Sequence, residues 1–220
     1  MRWTVAVTAM VAGAALVAGS AVPAVAAGGY TVTVEQRTPE VKHFDSFRYD
    51  TVRVTGPDAE MAKELQRKIR SFTSRASDYY RYPSAKTRAY LKKAEPAYFD
   101  AIITLTEGCH RHYLCVSQAT SFGTPLIAGS ITGIEARAWS TKNGRKAQLQ
   151  DFVTKQQLPA LTETVKDAIG QDRCYYGFEI ELPAKYSSFP HWVPLKDGIA
   201  VWFPEYQFGY CITAVRVSWP

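Results

Sequence analysis

Asp197-Gly198-Ile199-Ala200-Val201-Trp202-Phe203-Pro204-Glu205-Tyr206-Gln207-Phe208-Gly209-Tyr210-Cys211 is the stretch that decides the fold. Asp197-Gly198 is a tight-turn signal, and the apolar run Ile199–Phe203 behind it reads as a strand. An aromatic corner, Tyr206 to Tyr210, leads to a last strand at Ile212–Val217. The end of the chain is therefore sheet.

Outward from there, strands and helices alternate irregularly. Tyr30–Glu35 and Phe47–Thr55 alternate with period two and read as strands. Gly56-Pro57-Asp58 opens a helix, with Asp58 and Glu60 near the positive end of its dipole. Met61, Leu65, Ile69 and Phe72 recur at helical spacing and should face the core, leaving Lys63, Arg67, Lys68 and Arg70 largely on the other side. Tyr98–Thr106 and Val116–Phe122 read as a hairpin, and Ile131–Ser140 as a strand turning at Lys142-Asn143-Gly144. Gln148–Phe152 and Leu158–Ile169 read as helix, the second with Pro159 at its start and Gly170 as its stop. Phe178, Ile180 and Leu182 would share one strand face, with Glu179 and Glu181 on the other. The expected class is α+β, a mainly antiparallel twisted sheet with two or three helices packed on it.

The other end of the chain carries an address. Arg2 precedes an uncharged apolar run through Val17, and Ala24-Val25-Ala26 offers small residues for cleavage. Residues 1–26 thus read as a secretory signal peptide, leaving 27–220 as one secreted domain with no transmembrane span. The competing reading is an uncleaved anchor. The whole chain has a formal net charge of +6. Losing Arg2 lowers it to +5, a balance that suits solubility or anionic surroundings.

Four cysteines in an exported chain point to disulfides. Cys109 and Cys115 bracket the tip of the expected hairpin and form the first pair, which leaves Cys174 for Cys211. Chain entropy gives about 2.4 kcal/mol for the short loop and about 3.9 kcal/mol for the long one. His110 and His112 lie between the first two cysteines and make a zinc set the alternative. The spacing is wide for zinc and the thiolates would have to escape oxidation, so no metal and no cofactor is expected.

Two stretches offer themselves for binding. Pro183–Pro194 places Tyr186, Phe189, His191 and Trp192 in a Pro-punctuated loop, and the corner adds Tyr206, Phe208 and Tyr210. Core packing is the alternative for each of these aromatics. Residues 73–96 interleave Tyr79, Tyr80, Tyr82 and Tyr90 with Arg75, Arg81, Lys86, Arg88, Lys92 and Lys93. Such a mixture suits an anionic envelope polymer; nucleic acid, though chemically compatible, is not expected outside the cell. Catalysis finds no footing. The nucleophile-elbow spacing, the paired-histidine metalloprotease motif and the phosphate-binding glycine loop are all absent. Glu179 and Glu181 would sit about 7 Å apart on one strand face, pointing the same way, whereas glycoside hydrolysis needs carboxyls on opposite sides of the bond.

One family orders such elements alike. Asn143-Gly144 followed by Leu149-Gln150-Asp151-Phe152, a longer helix, and then Gly198, an apolar strand, Phe203 and Tyr206 resemble the extracytoplasmic domain shared by RsiV-type anti-sigma factors and mycobacterial secreted immunogenic proteins. The likeness runs in order from about residue 30 to 218 and is best over 131–218. It implies an exported α+β domain that binds or is recognised rather than one that catalyses. Lysozyme is the partner implied by the RsiV-type branch, although like charge on two basic proteins opposes docking. Gly209 stands where the family often has Pro, and a sigma-binding segment and stop-transfer helix are not seen, so the anti-sigma role is not expected.

Overall fold

The computed structural model describes residues 23–25, 27–125, 130–172, 175, 177, 179–205, 207 and 212–220. The expected α+β class is found, with nine strands and three α-helices among these residues. Six strands form one sheet in the order β1 (Pro23–Val25), β2 (Thr31–Arg37), β3 (Phe44–Thr55), β4 (Ala97–Leu105), β5 (Tyr113–Gly123) and β6 (Ser130–Ser140). The second sheet is β7 (His191–Pro194), β8 (Gly198–Phe203) and β9 (Thr213–Ser218). All pairs are antiparallel except β3 with β4. Parallel neighbours need a crossover, and α1 (Ala59–Arg81) with α2 (Ala85–Lys93) supplies it.

β3 changes partner along its length. Its first half pairs with β4 up to Tyr49↔Ala101, and its second half runs against β2 from Tyr49 to Thr55. Where β3 leaves β4, the Asp50 side chain accepts a hydrogen bond from the Ile103 backbone N–H at 2.9 Å. A buried strand amide is thereby satisfied without a strand.

The helices follow the sequence pattern. Asp58 caps α1 by accepting from the N–H groups of Glu60 and Met61. Leu65, Ile69 and Phe72 are buried against Val32, Val52, Ile103 and Val116 of the large sheet. α2 is attached more sparsely, through Leu91 in a cluster with Phe47, Phe99 and Phe122. α3 (Leu158–Gly170) buries Leu161, Val165 and Ile169 in a core shared with the small sheet and with Ala136 and Ala138 of the large one. Burying each such side chain is worth about 1.5–3 kcal/mol.

The C-terminal stretch behaves as its apolar run implies. Ile199, Ala200, Val201 and Phe203 are all buried, so β8 is covered on both faces. Gly198 opens it because a side chain there would collide with the Val217 carbonyl. Cys109–Cys115 is bonded, and the hairpin tip docks on the small sheet through His110 N–H to Pro194 O at 3.0 Å and Lys196 N–H to Gly108 O at 2.9 Å. Cys174 and Cys211 lie outside the described residues.

The pairing is mainly antiparallel, as expected, with β3–β4 the one parallel pair among the described strands, and the strands form two sheets. Two expectations need correcting. Residues 179–183 are irregular, so Glu179 and Glu181 share no strand face; the expected alternation does not decide where no neighbouring strand offers a ladder. The Pro183–Pro194 loop ends in β7, whose residues His191–Pro194 pair with Ile199–Trp202.

Candidate functional site

The parallel pair creates a site that neither of its strands encodes alone. Because β3 and β4 run in the same direction and start together at Phe44↔Ala97, the residues just before each strand are brought side by side. These are Lys42-His43 from the β2–β3 turn and Glu95-Pro96 from the end of α2, and the Ala97 N–H donates to the His43 carbonyl at 3.0 Å. A closer link joins the side chains: His43 Nδ1 lies 2.6 Å from Glu95 Oε1. The imidazole is 8% exposed and the carboxylate 51%.

His43 sits in an uncommon conformation. The Phe44 N–H donates to the Val41 carbonyl at 3.1 Å, closing a four-residue turn in which His43 is the third member with φ of 74°. That position of a type II turn asks for glycine, since side chains raise the energy of the left-handed region by about 1–2 kcal/mol. Strain held in place by surrounding structure is a feature of functional positions.

α2 forms the facing wall. Ser84 caps it, and Leu91 holds its inner side to the sheet. The outer side repeats at helical spacing: Ala85, Arg88, Ala89 and Lys92. The two alanines make room, and the cations flank them. Together with Lys42, His43 and Glu95 these residues enclose a cleft of about 480 Å3. A second cavity of about 690 Å3 follows the turn from Thr38 to Arg48 and shares Lys42 and His43 with the first. Three cations thus face one carboxylate in the α2 cleft, and that carboxylate is bonded to His43. In the turn cavity Glu40 and Asp45 balance Lys42 and Arg48, and Arg48 is also paired with Asp100 at 2.7 Å.

The aromatic residues singled out in the sequence lie elsewhere. Phe189 is 2% and Trp192 9% exposed, both in the core around α3 and the small sheet. Phe152 stands edge-on to Trp192 and stacks on Trp219. Tyr186 is half-buried and donates its hydroxyl to the Val153 carbonyl at 3.0 Å. His191 is half-buried in β7, and burial holds its imidazole below the ordinary histidine range, assisted by Arg137 and Lys146 and opposed by Glu135. Tyr206, Phe208 and Tyr210 lie outside the described residues. The loop was chosen for its aromatic density, and for Phe189 and Trp192 that density serves packing.

His110 and His112 do not assemble a metal centre. Cys109 and Cys115 are tied to each other, and no group of three or more potential ligands converges among the described residues. The His110 ring instead packs against Tyr113 and Phe152, and its ionisation is depressed first by burial and then by Arg111. Of the basic, tyrosine-rich segment, Arg88 and Lys92 enter the cleft. Lys42, His43 and Glu95 were not singled out in the sequence. The signal that could have found them is the pairing of His43 and Glu95 as the residues leading into two strands.

Two solved structures share this fold. A DUF3298 family protein from Pseudomonas aeruginosa PAO1 superposes with a TM-score of 0.52 at 12% identity, over 87% of this chain and 90% of that one. A member of the same family from Bacteroides fragilis gives 0.54 at 12% identity, over 86% and 89% respectively. At that identity the likeness is one of fold. No protein-family model and no curated protein matches the sequence. Fold and site together describe an α+β domain, similar in fold to these two proteins, with a basic cleft beside its parallel strand pair.

Proposed function

We propose that this chain is a secreted, non-catalytic binding domain, akin to RsiV-type ectodomains, whose partner is an anionic component of the cell envelope held in the α2 cleft. The observation that carries the reading is the uneven charge of that cleft: Lys42, Arg88 and Lys92 against Glu95 alone. An excess of cations along one surface raises its positive potential, and a polyanion relieves it. Export is supported by the uncharged apolar run that follows Arg2 and by the Cys109–Cys115 bridge.

Two other readings have less support. A hydrolase would need a nucleophile hydrogen-bonded to a base, and no Ser, Thr or Cys among the described residues lines the α2 cleft beside His43. Lysozyme follows from the resemblance, yet the net charge of +5 that remains without Arg2 opposes encounter with a basic partner. The test is titration of the oxidised protein with polyglutamate, and separately with a c-type lysozyme, at low and physiological salt. Polyanion affinity should fall steeply as salt rises, since binding releases condensed counterions. Lysozyme binding that persists at physiological salt, with no polyanion binding at either, would replace the proposal.

A further inference from the structure

The two cavities that meet at His43 differ in charge, and the difference narrows the ligand. The α2 cleft is cationic, whereas the turn cavity holds Glu40 and Asp45 beside Lys42, which it shares with the cleft, and Arg48, which is already paired with Asp100; Thr38 and Ser46 also line it. A ligand spanning both must carry negative charge at one point and a neutral, hydrogen-bonding unit next to it. A polycarboxylate fits this pattern less well, because its next charge would fall beside Glu40 and Asp45. An alternating chain of phosphodiesters and polyols fits it better.

We infer, resting on the anion-binding reading above, that the cleft seats one phosphodiester of a polyol-phosphate chain, with the adjoining polyol in the turn cavity. Arg88, whose Nη2 donates to the Pro83 carbonyl at 3.4 Å, carries a planar fork of the kind that matches two phosphate oxygens, and Lys92 and Lys42 add point charges. Glu95 takes up Nδ1 of His43, which leaves Nε2 as the ring nitrogen outside that bond. The left-handed turn at His43 is what sets the imidazole at the junction of the two cavities.

The experiment is calorimetric titration of the full, oxidised chain with lipid-free poly(glycerol phosphate), with polyglutamate, and with phosphatidylglycerol vesicles. Poly(glycerol phosphate) should bind most tightly. Replacing both cations, Arg88→Ala with Lys92→Ala, should weaken it by about tenfold or more, at about 1 kcal/mol for each cation near an anionic surface. Lys155→Ala removes an exposed charge outside the cleft and should leave affinity unchanged. His43→Gly suits the turn, removes the imidazole, and should also weaken binding.

Polyglutamate binding as tightly, and through Arg88 and Lys92, would overturn the polyol-phosphate inference while leaving the anionic cleft standing. Vesicles binding where the free polymer does not would overturn it in favour of a membrane surface. Indifference of every polyanion to the Arg88 and Lys92 substitutions would overturn both the inference and the reading beneath it.

Discussion

β8 and α2 use their residues in opposite ways. In β8 the side chains of Ile199, Ala200, Val201 and Phe203 are all buried, so both faces of the strand are consumed by packing. α2 commits Leu91 to the core and leaves Ala85, Arg88, Ala89 and Lys92 exposed along one side. A segment covered on both faces is held by many contacts and has no surface to offer. One anchored by few contacts keeps its outer side chains for something else. Phe189 and Trp192 of the aromatic loop are therefore scaffold, whereas α2 keeps Arg88 and Lys92 on an exposed side.

Phe189 gives the largest expected effect and the sharpest test of that division. Truncating a fully buried aromatic ring costs about 3–5 kcal/mol, so Phe189→Ala should lower the urea midpoint severely. A variant that kept its stability and lost partner binding would return the Pro183–Pro194 stretch to the role of binding loop and break the contrast.

Asp50 gives an intermediate effect with a pH signature. Burial raises its carboxyl above the ordinary range; the Ile103 N–H and Arg48 act in the lowering direction, and Asp100 adds to the rise. Folded protein therefore binds more protons at this group than unfolded protein does. Its contribution to stability is greatest below the unfolded value of about 3.9 and falls as pH climbs toward the raised folded value. Asp50→Asn keeps an acceptor for Ile103, so at neutral pH it should be at least as stable as the wild type, with a flatter acid limb. Asp50→Ala leaves the amide unpaired and should cost about 1–3 kcal/mol. Denaturant titrations across the acid range check both.

Legibility in the sequence followed the same division. Ile199–Phe203 and the stripe Leu65, Ile69, Phe72 were readable because burial imposes a period on neighbouring residues, and the Cys109–Cys115 pair because a hairpin tip brings near residues nearer. Residues 179–182 alternate without a neighbouring strand, so period alone misled there. The cleft joins positions 42–43 to 88–95, and nothing local announces that β3 and β4 begin side by side. Arg88 and Lys92 were visible as charge; His43 and Glu95 acquire meaning only from the crossover.

The smallest effect on stability comes from α2 itself. Arg88 and Lys92 are exposed, and neither belongs to the cluster around Leu91. Surface substitutions of this kind change stability by no more than about 0.5 kcal/mol. Arg88→Ala and Lys92→Ala should thus leave the melting temperature nearly unmoved, and relief of mutual repulsion among Lys42, Arg88 and Lys92 favours a slight rise over a fall. Leu91→Ala on the same helix should instead cost about 2–5 kcal/mol, because it removes the side chain that holds α2 to the sheet. Thermal melts of the three variants compare the two sides of one helix directly. A stability loss from the cation variants as large as that from Leu91 would make Arg88 and Lys92 structural, and α2 would then resemble β8 after all.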